Sequence, residues 1–508
     1  MERVAFGPFS YDRQQRLLYR DAEPLALGSR GVALLHLLLS RRGQVVSKGE
    51  LMDAAWPGLA VEESNLPVQI ALLRRLLGAA AHGGPWIVTV ARTGYRFIPE
   101  SDVAPPADLT RFEHPRVAVL PFVDFSGRPD TPLARYLLQD VVAALARFRG
   151  LSVVPVSSSA RVSAAMRDAR TVARQLDVHY VVEGSFRRRG EQLRLSLQLV
   201  DGSSGATVWA GDLHMPLVDG VGDTDELAGR AAAALDSQVH LAEMGRVHRR
   251  HPASVEAHDY YLRGRCKILT STEADNAVAL DLFMRALALE PDNIEYLAGA
   301  AEAIHHRTSV GWRPIPGASR TMALELSRRG LDRAGGDAAS LGLFGSALMT
   351  AHEEDAGSIL TARAAAMNPY SALALVCDGL ARTWDGDIDA AEHAFSRAAD
   401  LASGDPTQRF AYQGLGRVAA LRGDWAGALH WGQVTNAISP GLSGGNTLRI
   451  AASTMLGRME DARRYLQHYM LIAPGVSIRS LNEGQPFRDR TQIAPLFGAL
   501  KRAGLPER

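Results

Sequence analysis

Cysteine is nearly absent: 508 residues hold two, Cys266 and Cys377, each in a stretch of helical composition. Two distant thiols support neither a disulfide framework nor a zinc-ligand set, and they read as free thiols of a reducing compartment. Long apolar runs are missing as well. Val32 to Leu39, with His36 inside it, and Val141 to Ala146 are among the longest, far short of the ~20 residues that span a bilayer. Arg3, Asp12 and Arg13 interrupt any apolar core of a signal peptide, so none is expected and the protein is placed in the cytoplasm without membrane contact. Bulk charge is lacking too: the formal net charge is +1, which excludes a histone-like field and makes any affinity for nucleic acid a local property. Finally there is no phosphate loop, zinc-binding spacing or nucleophile constellation, so neither enzyme activity nor a cofactor is expected.

What is present concentrates between Val61 and Pro99. Leu66, Ile70, Leu73 and Leu77 recur at helical spacing and form one buried stripe, with Pro67 tolerable only in a first turn that begins near Asn65. Gln69, Arg74 and Arg75 therefore point elsewhere. A helix buried on one side and bearing Gln and Arg on the other suits the major groove, where such side chains bind base edges and phosphate. Gly83-Gly84-Pro85 separates it from Trp86 to Val90 and Tyr95 to Ile98, two β-prone runs around Thr93-Gly94, so a hairpin is expected with Arg92 near its tip. Residues 1 to 100 hold twelve Arg and Lys against nine Asp and Glu. That small excess predicts weak binding by a monomer and use of paired half-sites by a homodimer.

Residues 4 to 99 resemble the OmpR/PhoB-type winged-helix domain, in the N-terminal position it takes in ToxR- and CadC-like regulators. The resemblance rests on Phe6-Gly7-Pro8-Phe9, Leu25 to Leu39, Val46-Ser47-Lys48-Gly49-Glu50-Leu51 with Trp56, Val61 to Leu66, Leu73-Arg74-Arg75 with Leu77, and Gly94-Tyr95-Arg96-Phe97. It implies that residues 65 to 77 are the recognition helix, that Gln69, Arg74, Arg75, Thr89, Arg92 and Tyr95 face DNA, and that Lys48 and Trp56 touch phosphate. Ala71, Leu72 and Ala91 stand where relatives often carry Arg. Leu72 is thereby a candidate for packing against a neighbouring protein such as RNA polymerase. Ser101 to Pro115, where those relatives usually cross the membrane, is polar and Pro-bearing, and reads as a linker.

From residue 116 to 245 strands and helices alternate. Val117 to Phe122, Leu151 to Val156, Val178 to Phe186 and Gln192 to Val200 read as strands, Leu133 to Phe148 and Thr171 to Leu176 as helices, and Thr207-Val208-Trp209 closes a hairpin after Asp201 to Gly205. An α/β sandwich follows. Val117 to Phe122, Phe125-Ser126-Gly127, Tyr180 to Ser185 and the Leu199 to Trp209 hairpin resemble a TolB-like domain, which implies a fold and not a reaction. Glu183 and Asp201 are a strand-end and a turn carboxylate with no assigned chemistry, and Ser157-Ser158-Ser159 is turn-forming composition.

Beyond residue 250 the chain is Ala-rich. Pro369, Pro406, Pro440 and Pro474 fall at intervals of 37, 34 and 34, a period close to that of tetratricopeptide repeats, which residues 250 to 480 resemble over five or six degenerate copies. Gly311 to Gly317 and Gly441 to Gly445 break the rhythm, and 481 to 508 reads as a tail. A solenoid offers a concave face to a protein or peptide partner, although stacked repeats need no ligand to be stable. His305-His306 and His352-Glu353-Glu354 lack metal-ligand spacing and read as solvated surface.

The expected class is thus multidomain α/β plus α: a winged helix, an α/β sandwich and an α-solenoid. Two functions compete. One is a one-component, sequence-specific transcription regulator of double-stranded DNA whose C-terminal domains sense a signal. The other is a repeat scaffold whose N-terminal domain binds protein, or DNA without specificity.

Overall fold

The computed structural model describes residues 3–6, 9–20, 23–25, 27–57, 61, 65–78, 86–90, 93–97, 114–126, 132–165, 168–216, 224–248 and 257–508. These form two compact units, residues 1–111 and 112–508. The Arg92 tip, Gly83-Gly84-Pro85 and most of the 101–115 linker lie outside the described residues.

In the first unit, β1 (Arg3–Phe6), β2 (Phe9–Asp12), β3 (Leu17–Arg20) and β4 (Glu23–Leu25) make an antiparallel sheet in chain order. Then come α1 (Ser29–Ser40), β5 (Val45–Ser47), α2 (Lys48–Ala55), α3 (Asn65–Leu77), β6 (Ile87–Val90) and β7 (Gly94–Phe97), with sheet order β5-β7-β6. Ser47 and Glu50 cap α2 reciprocally: the Ser47 hydroxyl accepts from the Glu50 N–H and the Glu50 carboxylate from the Ser47 N–H at 3.0 Å. The two sheets are joined by rings, with Phe6 5.2 Å from both Trp86 and Phe97. Gly94, expected in the hairpin turn, is instead the first residue of β7, where a Cβ would stand 2.0 Å from the Val46 carbonyl oxygen.

The second unit opens with a sheet of β8 (Arg116–Val119), β9 (Val123–Asp124), β10 (Ser152–Val153), β11 (Tyr180–Arg189), β12 (Gln192–Asp201) and β13 (Thr207–Pro216), ordered β10-β8-β11-β12-β13 with β9 beside β11. The β10, β8 and β11 strands are parallel, and β11 to β13 are antiparallel. Side chains alternate between the faces of β8. Val117 and Val119 pack in the core with α4 (Pro132–Leu145) and α7 (Thr224–His248), while Ala118 packs with residues of α5 (Val156–Ala165) and α6 (Ala169–Leu176). Ser157, Ser158 and Ser159 lie within α5 and not in a turn, because Val162 supplies a buried anchor for that helix. Asp201 caps the β12–β13 turn by accepting from the Ser203 and Ser204 N–H groups.

Six helical hairpins follow: α8 (Ala257–Thr270) with α9 (Glu273–Leu289), α10 (Ile294–Ser309) with α11 (Arg320–Leu331), α12 (Ala338–Thr350) with α13 (Glu354–Met367), α14 (Ala372–Asp385) with α15 (Ile388–Leu401), α16 (Gln408–Leu421) with α17 (Trp425–Ile438), and α18 (Ser443–Met455) with α19 (Met459–Ile472). The first helices of successive pairs start 37, 44, 34, 36 and 35 residues apart, and the one long step contains Gly311 and Gly317. The second glycine cluster does not break the array. Gly444 and Gly445 sit inside α18, where a Cβ would meet Gln413 and Thr435, so they let neighbouring helices approach. The stretch expected as a tail carries the end of α20 (Ile478–Gly484) and α21 (Ala494–Ala503), whose Leu496 and Leu500 join the core of the last repeats. An apolar edge of the array is thereby covered.

The long α7 seats the central domain on this solenoid. Arg397 donates to both oxygens of Glu226 at 2.8 and 2.7 Å, and the Ser237 hydroxyl donates to Asp405. Burial, with Asp405 and Asp337 nearby, pushes the Asp236 carboxyl up to about 8. Between pH 3.8 and about 8 the folded chain therefore holds a proton that the unfolded chain has lost, so this group's contribution to stability falls as pH rises through that window. Asp236→Asn is expected to match wild type near pH 4 and to exceed it by on the order of 2 kcal/mol above pH 8. Urea unfolding at the two pH values checks this; equal stabilities throughout would refute it.

Candidate nucleic-acid interface

The interface is built on α3. Leu66, Ile70, Leu73 and Leu77 are buried against α1 and α2, as their spacing predicts. The opposite side presents Pro67, Ala71 and Arg75, all exposed, together with Val68 and Leu72 at 57% and 47% exposure. Gln69 lies half-buried at the edge of this face. Lys48 is exposed at the first position of α2. The Glu50 carboxyl two residues on is held well down, at about 2, by bonds from Ser47 and then from Arg41, so it stays ionised.

The expected DNA-facing set divides in two. Gln69, Arg75 and Lys48 reach solvent. Arg74 is turned onto the hairpin: its Nε donates to the Ile87 carbonyl at 2.8 Å, its Nη2 to Thr89 Oγ1 at 2.8 Å, and its guanidinium lies 5.9 Å from the Tyr95 ring. Tyr95 is 6% exposed and Trp56 4%, both within the domain core. These aromatics pack inward with Phe6, Phe9, Tyr11, Trp86 and Phe97 in one apolar core; Arg30, exposed, lies with its guanidinium 5.7 Å from the Trp56 ring. Arg74, Thr89 and Tyr95 thus fasten α3 to the wing. Sequence reasoning missed Arg30, Val68 and the outward-pointing Arg96 of β7. For Val68 the signal was its spacing of four from Leu72, and for Arg96 its place in the strand's alternation.

Among the described residues no cluster of His, Cys, Asp and Glu suits a metal ion, and both thiols are free. His305 and His306, read as solvated, are in fact packed into the solenoid, with the His305 ring Nδ1 3.2 Å from Thr350 Oγ1. Burial holds them neutral, at about 4 and about 3. Among the described residues no helix is long and apolar enough to cross a membrane.

A buried-stripe helix fastened to a β-wing and preceded by a capped helix defines a winged-helix DNA-binding domain. Residues 22–97 match the family described as transcriptional regulatory protein, C terminal, and residues 113–220 match the HilA/YgeH-like transcriptional regulator second domain. That second match falls on the stretch whose sequence resembles TolB-like domains. The chain is 25% identical to the transcriptional regulator HilA of Salmonella paratyphi A over 73% of its own length and 65% of the relative's. It is 31% identical to a putative adenylate cyclase 3 of Rhizobium meliloti over 38% of this chain and 33% of that one. The chain therefore spans between one third and just under two thirds of these relatives. The DNA-binding domain of Escherichia coli CadC is similar at 27% identity, covering 20% of this chain and 94% of that one with a TM-score of 0.18. Two consecutive stretches of this protein thus match family models of transcription regulators.

Proposed function

We propose that this chain is a one-component, sequence-specific transcription regulator that acts in the cytoplasm and catalyses no reaction. The carrying observation is the face of α3 that bears Arg75, exposed along its length while the opposite face is wholly buried. Arg75 and Gln69 contact base edges in the major groove, Lys48 contacts phosphate, and Arg92 enters the minor groove from the wing. Arg74, Thr89, Tyr95 and Trp56 hold these groups in register. The chain binds as a homodimer to half-sites about one helical turn apart. The Val68–Leu72 face reads thymine methyls or meets RNA polymerase, and the repeats carry a protein or peptide partner or a signal.

Arg75→Ala in the full chain is expected to weaken binding by about 1–3 kcal/mol and relax specificity at one position, with Lys48→Ala lowering affinity uniformly and flattening the salt dependence by about one unit. Footprinting and salt-titrated mobility shifts read both effects. Binding that ignores both substitutions would favour the scaffold reading, as would a single short isolated footprint.

A further inference from the structure

Within the solenoid lies a half-open cavity with about 750 Å3 of free space, counting its mouth. Val376, Leu380, Trp384, Phe395 and Phe410 supply much of its wall. The wall also carries polar groups. Arg417 Nη1 donates to Gln485 Oε1 at 3.0 Å, an oxygen that also accepts from Trp384 Nε1 at 3.2 Å. None of the other guanidinium hydrogens has a partner among the described residues, and Arg417 is in no ion pair. The one carboxylate in the lining, Glu302, is already paired with Arg265.

The same helix face continues the pattern. Arg409, Gln413 and Arg417 are spaced by four along α16 and so share one side of it. Arg409 is 3% exposed, and its Nε and Nη2 are buried with no hydrogen-bond partner; its nearest aromatic contact is the Phe410 ring at 4.5 Å. Gln413 Oε1 and His306 Nε2, both on groups lining the cavity, are likewise buried and unbonded. Burial alone pushes the Arg417 guanidinium down, to about 10, and no neighbouring carboxylate offsets it. Arg417 is half-buried in the cavity wall, and a cation without a carboxylate partner beside an apolar cavity gains by admitting an anion.

We propose that this cavity binds a small organic carboxylate with an apolar body of about ring size, its carboxylate taken by Arg417 and its body held among Trp384, Phe395 and Phe410. The planar fork of Arg matches a carboxylate bidentately. One cation facing the space, without a nest of backbone N–H groups, suits a single negative charge better than a phosphate. The wall is largely apolar and side-chain built, whereas an extended peptide would need main-chain partners along its whole length. That such a ligand acts as a signal rests on the regulator reading; the site itself does not.

The test is calorimetric titration of the full chain with phenylbutyrate and with its neutral analogue phenylbutanamide, alongside thermal melts. The acid is expected to bind and raise the melting temperature, and the amide to bind at least about tenfold more weakly. Arg417→Gln is expected to lose about tenfold in affinity for the acid while melting, without ligand, close to the wild-type temperature, because the cation removed has no carboxylate partner. Arg417→Lys should recover only part of the loss. Equal affinity for amide and acid, undiminished binding by a folded Arg417→Gln chain, or no binding of phenylbutyrate, phenylacetate or octanoate at millimolar concentration would each overturn the proposal. None of these measurements involves DNA, so their failure and a failed footprint are separate results.

Discussion

Gly94→Ala is expected to destabilise the N-terminal domain by about 3 kcal/mol or more and to abolish specific DNA binding at ordinary temperature. The added Cβ would stand 2.0 Å from the Val46 carbonyl oxygen and 2.9 Å from Ser47 Cα, both backbone atoms of β5. No rotamer change relieves a clash with backbone. The β7 strand would have to part from β5, breaking the pairing of Val46 with Tyr95 and of Ser47 with Gly94. Tyr95 and Phe97 would leave the core with it, and the Ser47 cap that starts α2 would shift. Gly49→Ala, at a position with open space inside α2, is the matched control and is expected to be neutral or slightly stabilising. Calorimetry of the full chain should show the effect in one transition only, with mobility shifts reporting binding. An unaltered N-terminal transition in Gly94→Ala would mean that β5 and β7 do not pair this closely.

In the solenoid the largest expected loss comes from Phe395→Ala, about 3–5 kcal/mol. Phe395 is fully buried on α15, and the ring is admitted by two glycines: a Cβ at Gly379 of α14 would approach it to 2.8 Å and one at Gly414 of α16 to 2.4 Å. Phe283 of α9 sits in the same way against Gly264 of α8 and Gly299 of α10. Each ring therefore bridges the helices before and after it, and its removal leaves a void in two interfaces at once. Because repeats are stabilised by their nearest neighbours, the damage extends to adjoining hairpins. Ile359→Ala on the exposed side of α13 is expected to stay within about 0.5 kcal/mol. Urea unfolding followed by circular dichroism separates the two, and equal midpoints would refute the bridging role.

Particular residues show where sequence reasoning stops. The stripe Leu66, Ile70, Leu73 and Leu77 was legible because burial imposes a helical period on apolar residues and nothing else produces it. The neighbouring pair Arg74 and Arg75 was not separable, since both fall off the stripe. A rotation of about 100° per residue sends one to the wing and the other to solvent. Trp56 and Tyr95 are amphipathic, so their type fits a phosphate contact and a core equally well. His305-His306 reads as surface in one dimension because nothing local says that five helices meet there.

The sequence by itself determined the order of three fold types, the approximate period of the repeats and the buried side of the helix at residues 65 to 77, because these follow from the spacing of apolar and small residues along one chain. Tertiary structure decided which polar groups remain available. Whether Arg74 or Arg75 reaches solvent, and whether Arg417 finds an anion, depends on which backbone carbonyls and carboxylates other segments bring within hydrogen-bond distance. No local pattern encodes that.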